Sequence, residues 1–149
     1  MPIGEFCNRE VVFATRKTTI PAAAQLMRKS HVGDLVVVDV VDGRRMPVGI
    51  VTDRDIVVEI IAKALDFNDF TVGDIMSPQL VSVQENEGVF ETIELMRNKG
   101  IRRIPVVDRE GGLAGIVSAD DILDLLAEEM TELAKVSPRE QSKEAHLRH

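Results

Sequence analysis

Two four-residue runs carry the most suggestive chemistry in the chain, Thr52-Asp53-Arg54-Asp55 and Ser118-Ala119-Asp120-Asp121, each a hydroxyl followed three residues later by a carboxylate. One spacing serves two ends. In a capping box the hydroxyl and the carboxylate satisfy the free N–H groups at a helix start. In a ligand site those N–H groups and the positive end of the helix dipole attract a phosphate, with Thr52 or Ser118 as an extra donor. The carboxylate, Asp55 or Asp121, can then accept both hydrogen bonds of a ribose diol, as an acidic residue does in dinucleotide-binding folds. Arg54 offers an anionic phosphate a charge-assisted bond, whereas its counterpart Asp120 repels one, so two inequivalent sites are expected, the second the weaker. The acidic pair Asp120-Asp121 also invites a hard metal. Metal-assisted hydrolysis, however, needs ligands converging from several elements plus a nucleophile or base, and the sequence marks no such set. The residues therefore do not mark the chain as an enzyme, and cap or ligand site both stay open for the two runs.

The elements that position these runs come in two copies. At an offset of 69 residues, Ile3-Gly4-Glu5-Phe6 falls on Val72-Gly73-Asp74-Ile75, Leu26-Met27-Arg28 on Leu95-Met96-Arg97, and Val37-Val38-Asp39 on Val106-Val107-Asp108. Beyond a turn of unequal length the offset becomes 66, matching Gly49-Ile50-Val51-Thr52 to Gly115-Ile116-Val117-Ser118. Asp42-Gly43 and Gly111-Gly112 supply the turn chemistry there. In each copy an apolar i, i+3, i+4, i+7 pattern (Ile20, Ala23, Ala24, Met27; Val89, Thr92, Ile93, Met96) predicts a first helix. Short β-branched runs follow, at 35–38 and 48–52 and again at 104–107 and 113–118, and a second helix starts at Asp53 or Ala119. The unit is therefore strand, helix, strand, strand, helix. About 60 residues of this kind bury little core alone, which predicts an α/β (α+β) fold of two units packed sheet to sheet about a pseudo-twofold axis. The expected division is 3–62 for the first repeat, 63–71 for a linker, 72–129 for the second repeat, and 130–149 for a helical extension and polar tail, in which Ser137 and Glu140 could cap a final helix.

Composition narrows the function further. Against 18 basic residues stand 25 acidic ones, a formal charge of -7, and with five Phe and no Trp or Tyr the chain has few stacking platforms, so nucleic acid is not an expected partner. No apolar run is long enough to span a bilayer and the N-terminus lacks the basic and apolar stretches of a signal peptide, which predicts a cytoplasmic protein that does not bind membrane. One cysteine, Cys7, forms no internal disulfide, and three scattered histidines (His31, His146, His149) offer little to a metal.

The ordered blocks resemble the CBS (cystathionine β-synthase) domain family. The second copy carries Thr71-Val72-Gly73-Asp74-Ile75-Met76, Ile101-Arg102-Arg103-Ile104-Pro105-Val106-Val107-Asp108 and Gly115-Ile116-Val117-Ser118-Ala119-Asp120-Asp121-Ile122. The first carries Gly49-Ile50-Val51-Thr52-Asp53-Arg54-Asp55-Ile56, but has Cys7 where the family pattern has Met, and Val36 where it has a strand proline. The resemblance implies a tandem pair (a Bateman module) with two symmetry-related clefts for an adenosine ligand: AMP, ADP, ATP or NAD, with S-adenosylmethionine behind these and magnesium as a companion of bound ATP. It implies that Asp34, Leu35 and Val36 lie along the base in the first cleft, beside Thr52, Arg54 and Asp55. It implies the same of Arg103, Ile104 and Pro105 in the second, beside Ser118 and Asp121, with Met76 pressing on a base. It further implies a homodimer formed through the second helices (Ile56, Ile60, Ile61, Ile122, Leu125, Leu126, Met130, Leu133) and a role in signal transduction, controlling a partner protein that the sequence leaves open. The rival reading is a structural dimerisation module with degenerate clefts.

Overall fold

The structure, a computed structural model, describes residues 1–78 and 80–147. Arg148 and His149, the end of the expected tail, lie outside the described residues.

The repeat read from the sequence becomes two three-stranded sheets. In the first, β1 (Phe13–Ala14) runs parallel to β2 (Asp34–Val41), which pairs antiparallel with β3 (Arg44–Thr52). Helix α1 (Ile20–Ser30) connects β1 to β2. In the second, β4 (Val83–Gln84), α4 (Val89–Lys99), β5 (Arg103–Val107) and β6 (Leu113–Ser118) repeat the pattern. Both sheets carry an irregularity at the same place, Val37/Val38 and Val106/Val107. The first hairpin is the longer, and Asp42 and Gly43 turn it with left-handed φ of 51° and 75°, as a two-residue turn with the twist of its strands requires.

Local chemistry explains the helix limits. Thr19 accepts from the Ala22 N–H and starts α1, and His31 ends it at a left-handed φ of 54°. Gly100 ends α4 in the same way. The helix expected from Asp53 is shorter and less regular than its pattern suggests: α2 (Asp53–Ile56) passes into a π-turn over Val57–Ile61, which buries Ile60 while leaving Val57 and Ile61 exposed. Helix α3 (Val72–Ile75) opens the second repeat. After α5 (Ala119–Ala134), the tail forms α6 (Val136–Leu147), which begins at Val136, so Ser137 lies inside the helix and not at its cap.

The packing adds something that the repeat did not disclose: each repeat lends its opening segment to the other. Ile3 and Gly4 donate N–H bonds to Glu87 and Glu85 (2.7 and 2.9 Å), and Val72 and Gly73 donate theirs to Thr18 and Arg16 (2.9 Å each). Further on, Asn8 exchanges backbone bonds with Ile116 on β6, and Ser77 with Ile50 on β3. Fully buried Ile3 therefore belongs to the core of the second sheet, with Val83, Val89, Met96, Ile104, Val106, Val117 and Ile122. Val72 fills the core of the first, with Ala14, Ala23, Met27, Leu35, Val37 and Val51. The close approach requires glycine on the receiving strand: a Cβ on Gly115 would lie 2.5 Å from Cys7 Sγ, and one on Gly49 would lie 2.6 Å from the Ser77 carbonyl oxygen. With β3 and β6 also in contact, the two halves form one body about a pseudo-twofold axis.

Candidate functional site

Both hydroxyl-carboxylate runs form capping boxes. Asp55 N–H donates to Thr52 Oγ1 at 3.0 Å and Thr52 N–H to Asp55 Oδ2 at 2.9 Å. The corresponding distances at Ser118 and Asp121 are 3.0 and 3.3 Å. Each box stands at the end of a central strand pair, because Asp34 is opposite Thr52 and Arg103 opposite Ser118 in the sheet registers. Only Oδ2 of Asp55 is engaged in the cap, and among the described residues Oδ1 has no hydrogen-bond partner, so the box and a ligand can share this carboxylate.

A cleft of about 410 Å³ opens beside the first box, lined by Asp34, Ile50, Thr52, Asp55, Ser77, Val81, Ile101, Arg102, Arg103, Ser118 and Asp120. It is built from both repeats. Thr52, Asp55 and Ile50 form one side, Ser77 and Val81 another, and Ile101 to Arg103 the far wall. A smaller cleft of about 200 Å³ lies across the axis, with Asn8, Val12, Val32, Ile116, Ser118 and Asp121 in corresponding places, together with Glu10, Val11, Asp34 and Arg103. Two ion pairs dress the larger cleft. Arg103 Nη1 lies 2.8 Å from Asp34 Oδ2, and exposed Arg102 Nη2 lies 2.7 Å from Asp120 Oδ1. The hydrogen bond to Asp34 raises the pKa of Arg103 above its ordinary value, so its charge is permanent.

The expected site residues divide into two groups. Thr52 and Asp55 line the larger cleft and Asp121 the smaller, while Asp34, Arg103 and Ser118 line both. Leu35, Val36, Ile104 and Pro105 send their side chains into buried positions, which leaves only their backbones for any ligand. Met76 packs against the first core, next to Ser77 of the cleft wall. Arg54 is exposed and does not line the larger cleft; Asp120 does. The reason is geometric. The wall facing the first box comes from the second repeat, which brings Asp120 into the larger cleft, whereas Arg54 lines neither cleft. Ile50, Ser77, Val81, Ile101 and Arg102 were not singled out by sequence reasoning. Their signal was present, since each has a partner at the repeat offset (Ile116, Asn8, Val12, Val32 and Gly33).

A profile of the CBS domain matches residues 3–62 and 72–128. The chain belongs to the CBS domain family. An uncharacterized protein of Methanopyrus kandleri is 37% identical over 123 residues, covering 83% of this chain and 61% of its own length. A CBS domain protein of Pyrobaculum aerophilum complexed with AMP superposes with a TM-score of 0.72 at 29% identity, over 81% of this chain and 89% of that one. A CBS domain pair in complex with 5′-methylthioadenosine and S-adenosyl-L-methionine gives a TM-score of 0.71 at 29% identity, over 87% of this chain and 98% of the other. Tandem CBS repeats on a mixed α/β scaffold are thus the architecture of this chain. Among the described residues no helix is long and apolar enough to cross a membrane, and no three His, Cys, Asp or Glu side chains cluster as metal ligands.

Proposed function

We propose that this CBS pair binds an adenine nucleotide in the larger cleft and reports its occupancy to a partner protein, without catalysing a reaction. The observation that carries the reading is the convergence, from two repeats, of a capping-box carboxylate and two arginines on one cleft of a size suited to a small molecule. The base rests against Val81, Ile101 and Ile50. The ribose diol bonds to Asp55, and the phosphate takes donors from the Thr52 hydroxyl, Arg102 and Arg103. AMP, ADP, ATP and NAD all fit this description, with magnesium accompanying a polyphosphate, and the S-adenosylmethionine of the neighbouring complex replaces the phosphate with a zwitterion. The carboxylates are engaged in caps and ion pairs, which suits recognition better than proton transfer.

A homodimer belongs to the same proposal. Val57 and Ile61 on the π-turn, with Leu123, Met130 and Leu133 on α5, are more than half exposed, and such apolar faces mark association surfaces. Ile60 and Ile122, expected on that surface, instead serve the interior.

One panel tests the reading. A ligand that binds only the native state adds RT ln(1 + [L]/Kd), about 2.7 kcal/mol at one hundred times Kd. Melting curves with AMP, ADP, ATP, NAD and S-adenosylmethionine should show a clear rise for at least one. A flat response to all five would instead favour the structural dimerisation module, for which the closure of Arg102 and Arg103 on Asp120 and Asp34 already speaks.

A further inference from the structure

Asp34 and Arg103 are each other's counterparts in the repeat, occupying the same register position opposite Thr52 and Ser118. Yet they form an ion pair with one another, at 2.8 Å. Two equivalent positions can touch only where the pseudo-twofold axis passes between them, so this pair sits on the axis. Both clefts are lined by Asp34 and by Arg103, and Ser118 also belongs to both. In a symmetric ancestor of such a contact the two residues would be alike; here a single cation and a single anion face two binding sites.

We infer that the two clefts are not independent, and that competition for Arg103 limits the module to one anionic nucleotide per chain. The inference rests on the nucleotide reading above and goes beyond it. A phosphate in either cleft draws the guanidinium away from Asp34. The carboxylate left behind is mostly enclosed, its side chain 18% exposed, and it faces the cleft still empty. A second phosphate would therefore meet an uncompensated carboxylate and the first phosphate, and find the axial cation already engaged. Coupling between sites typically changes affinity by 5- to 150-fold, and like charges at short range in a partly desolvated cleft place this case at tenfold or more. The larger cleft holds the nucleotide because Arg102, drawn from Asp120 as Arg103 is from Asp34, adds a second cation there, whereas Gly33 stands at the equivalent position across the axis.

Isothermal titration with AMP tests the inference directly. Wild-type protein should take up one AMP per chain. Asp55→Asn, which weakens the larger cleft, should still take up one, more weakly, because the smaller cleft then gains access to Arg103. Arg103→Gln should weaken AMP about tenfold in the wild-type and in the Asp55→Asn background alike, because one side chain serves both clefts. Arg103→Lys, which keeps the charge, should recover part of the loss, whereas a folding defect would not follow the charge. Two AMP per chain with equal affinity would overturn the inference while leaving nucleotide binding intact. So would an Arg103→Gln effect confined to one background. Absence of AMP uptake by the wild-type protein at millimolar concentration would sink the nucleotide reading and this inference with it.

Discussion

Ile3→Ala separates the exchanged packing of the opening segments from a simple side-by-side arrangement of repeats. Ile3 is fully buried and lies among Val83, Val89, Val106 and Val117 of the second sheet, although it opens the first repeat in sequence. Truncating a buried Ile to Ala costs about 2 to 5 kcal/mol in transfer and cavity terms, and the backbone bonds of Ile3 and Gly4 to Glu87 and Glu85 hold the site from collapsing, which argues for the upper half of that range. Domains of this size have some 5 to 15 kcal/mol in hand, so the variant should fold but melt at clearly lower denaturant. The informative measurement is hydrogen exchange resolved by segment. Protection should fall first in β4, β5 and β6, and the loosened contact of Asn8 with Ile116 should open the smaller cleft. The reciprocal change, Val72→Ala, should loosen β1, β2 and β3 by about 2 kcal/mol, at ~0.8 kcal/mol per buried methylene-sized group plus the cavity. If Ile3→Ala instead exposed β2 and β3, each repeat would be keeping its own opening segment and the description of the core would be wrong.

Other expected outcomes follow from the same geometry. Asp55→Asn keeps an oxygen to cap the Thr52 N–H but loses the charged acceptor, so stability should change by less than about 1 kcal/mol. Nucleotide affinity, read by calorimetry, should fall by about 30-fold, since bonds to a charged group are worth roughly 1.5 to 3 kcal/mol; an unchanged affinity would leave Asp55 as a cap and nothing more. Gly115→Ala should displace Cys7 and Asn8 from β6 and lower the melting temperature by several degrees, more than the same change at Gly43, where a Cβ meets open space and only the left-handed φ of 75° opposes it. Burial raises the pKa of the Cys7 thiol; its alkylation by iodoacetamide at pH 8 should therefore be slower than that of a free thiol. The same shift favours the protonated thiol in the fold, so its contribution to stability should be present below an ordinary thiol pKa of about 8.5 and decline as pH rises beyond it. Light scattering at tens of micromolar should give twice the chain mass, and Ile61→Lys should halve it if the π-turn face is the dimer contact.

Much of the scaffold was legible because it obeys local rules that recur twice. The β-branched run before Asp42-Gly43, the apolar stripe of Ile20, Ala23 and Met27, and the hydroxyl before each second helix all specify structure within a few residues of themselves. The exchange of opening segments was not legible, since a self-comparison sets Ile3 on Val72 whichever sheet each one enters. The π-turn escaped for a related reason: Ile56, Ile60 and Ile61 satisfy a helical spacing, which does not distinguish an α-helix from the wider turn that buries Ile60 and leaves Ile61 exposed.

The candidate site shows where spacing stops being informative. Thr71 and Asp74 meet the same hydroxyl-carboxylate criterion as Thr52 and Asp55, and Asp74 Oδ2 accepts from the Thr71 N–H at 2.8 Å and from its hydroxyl at 3.2 Å. Yet this third box opens a short helix whose apolar members, Val72 and Ile75, pack into the first core, and it lines neither of the clefts related by the axis. What distinguishes the other two boxes is the strand before them. Ending opposite Asp34 and Arg103, β3 and β6 bring their hydroxyls to the axis where the two repeats meet, and the far wall of each cleft is supplied by the other repeat. A cap becomes a candidate ligand site only when a second repeat closes over it. This is also why Arg54, placed beside the first box by the sequence, gives way there to Arg102, Arg103 and Asp120, residues at least 48 positions further along the chain.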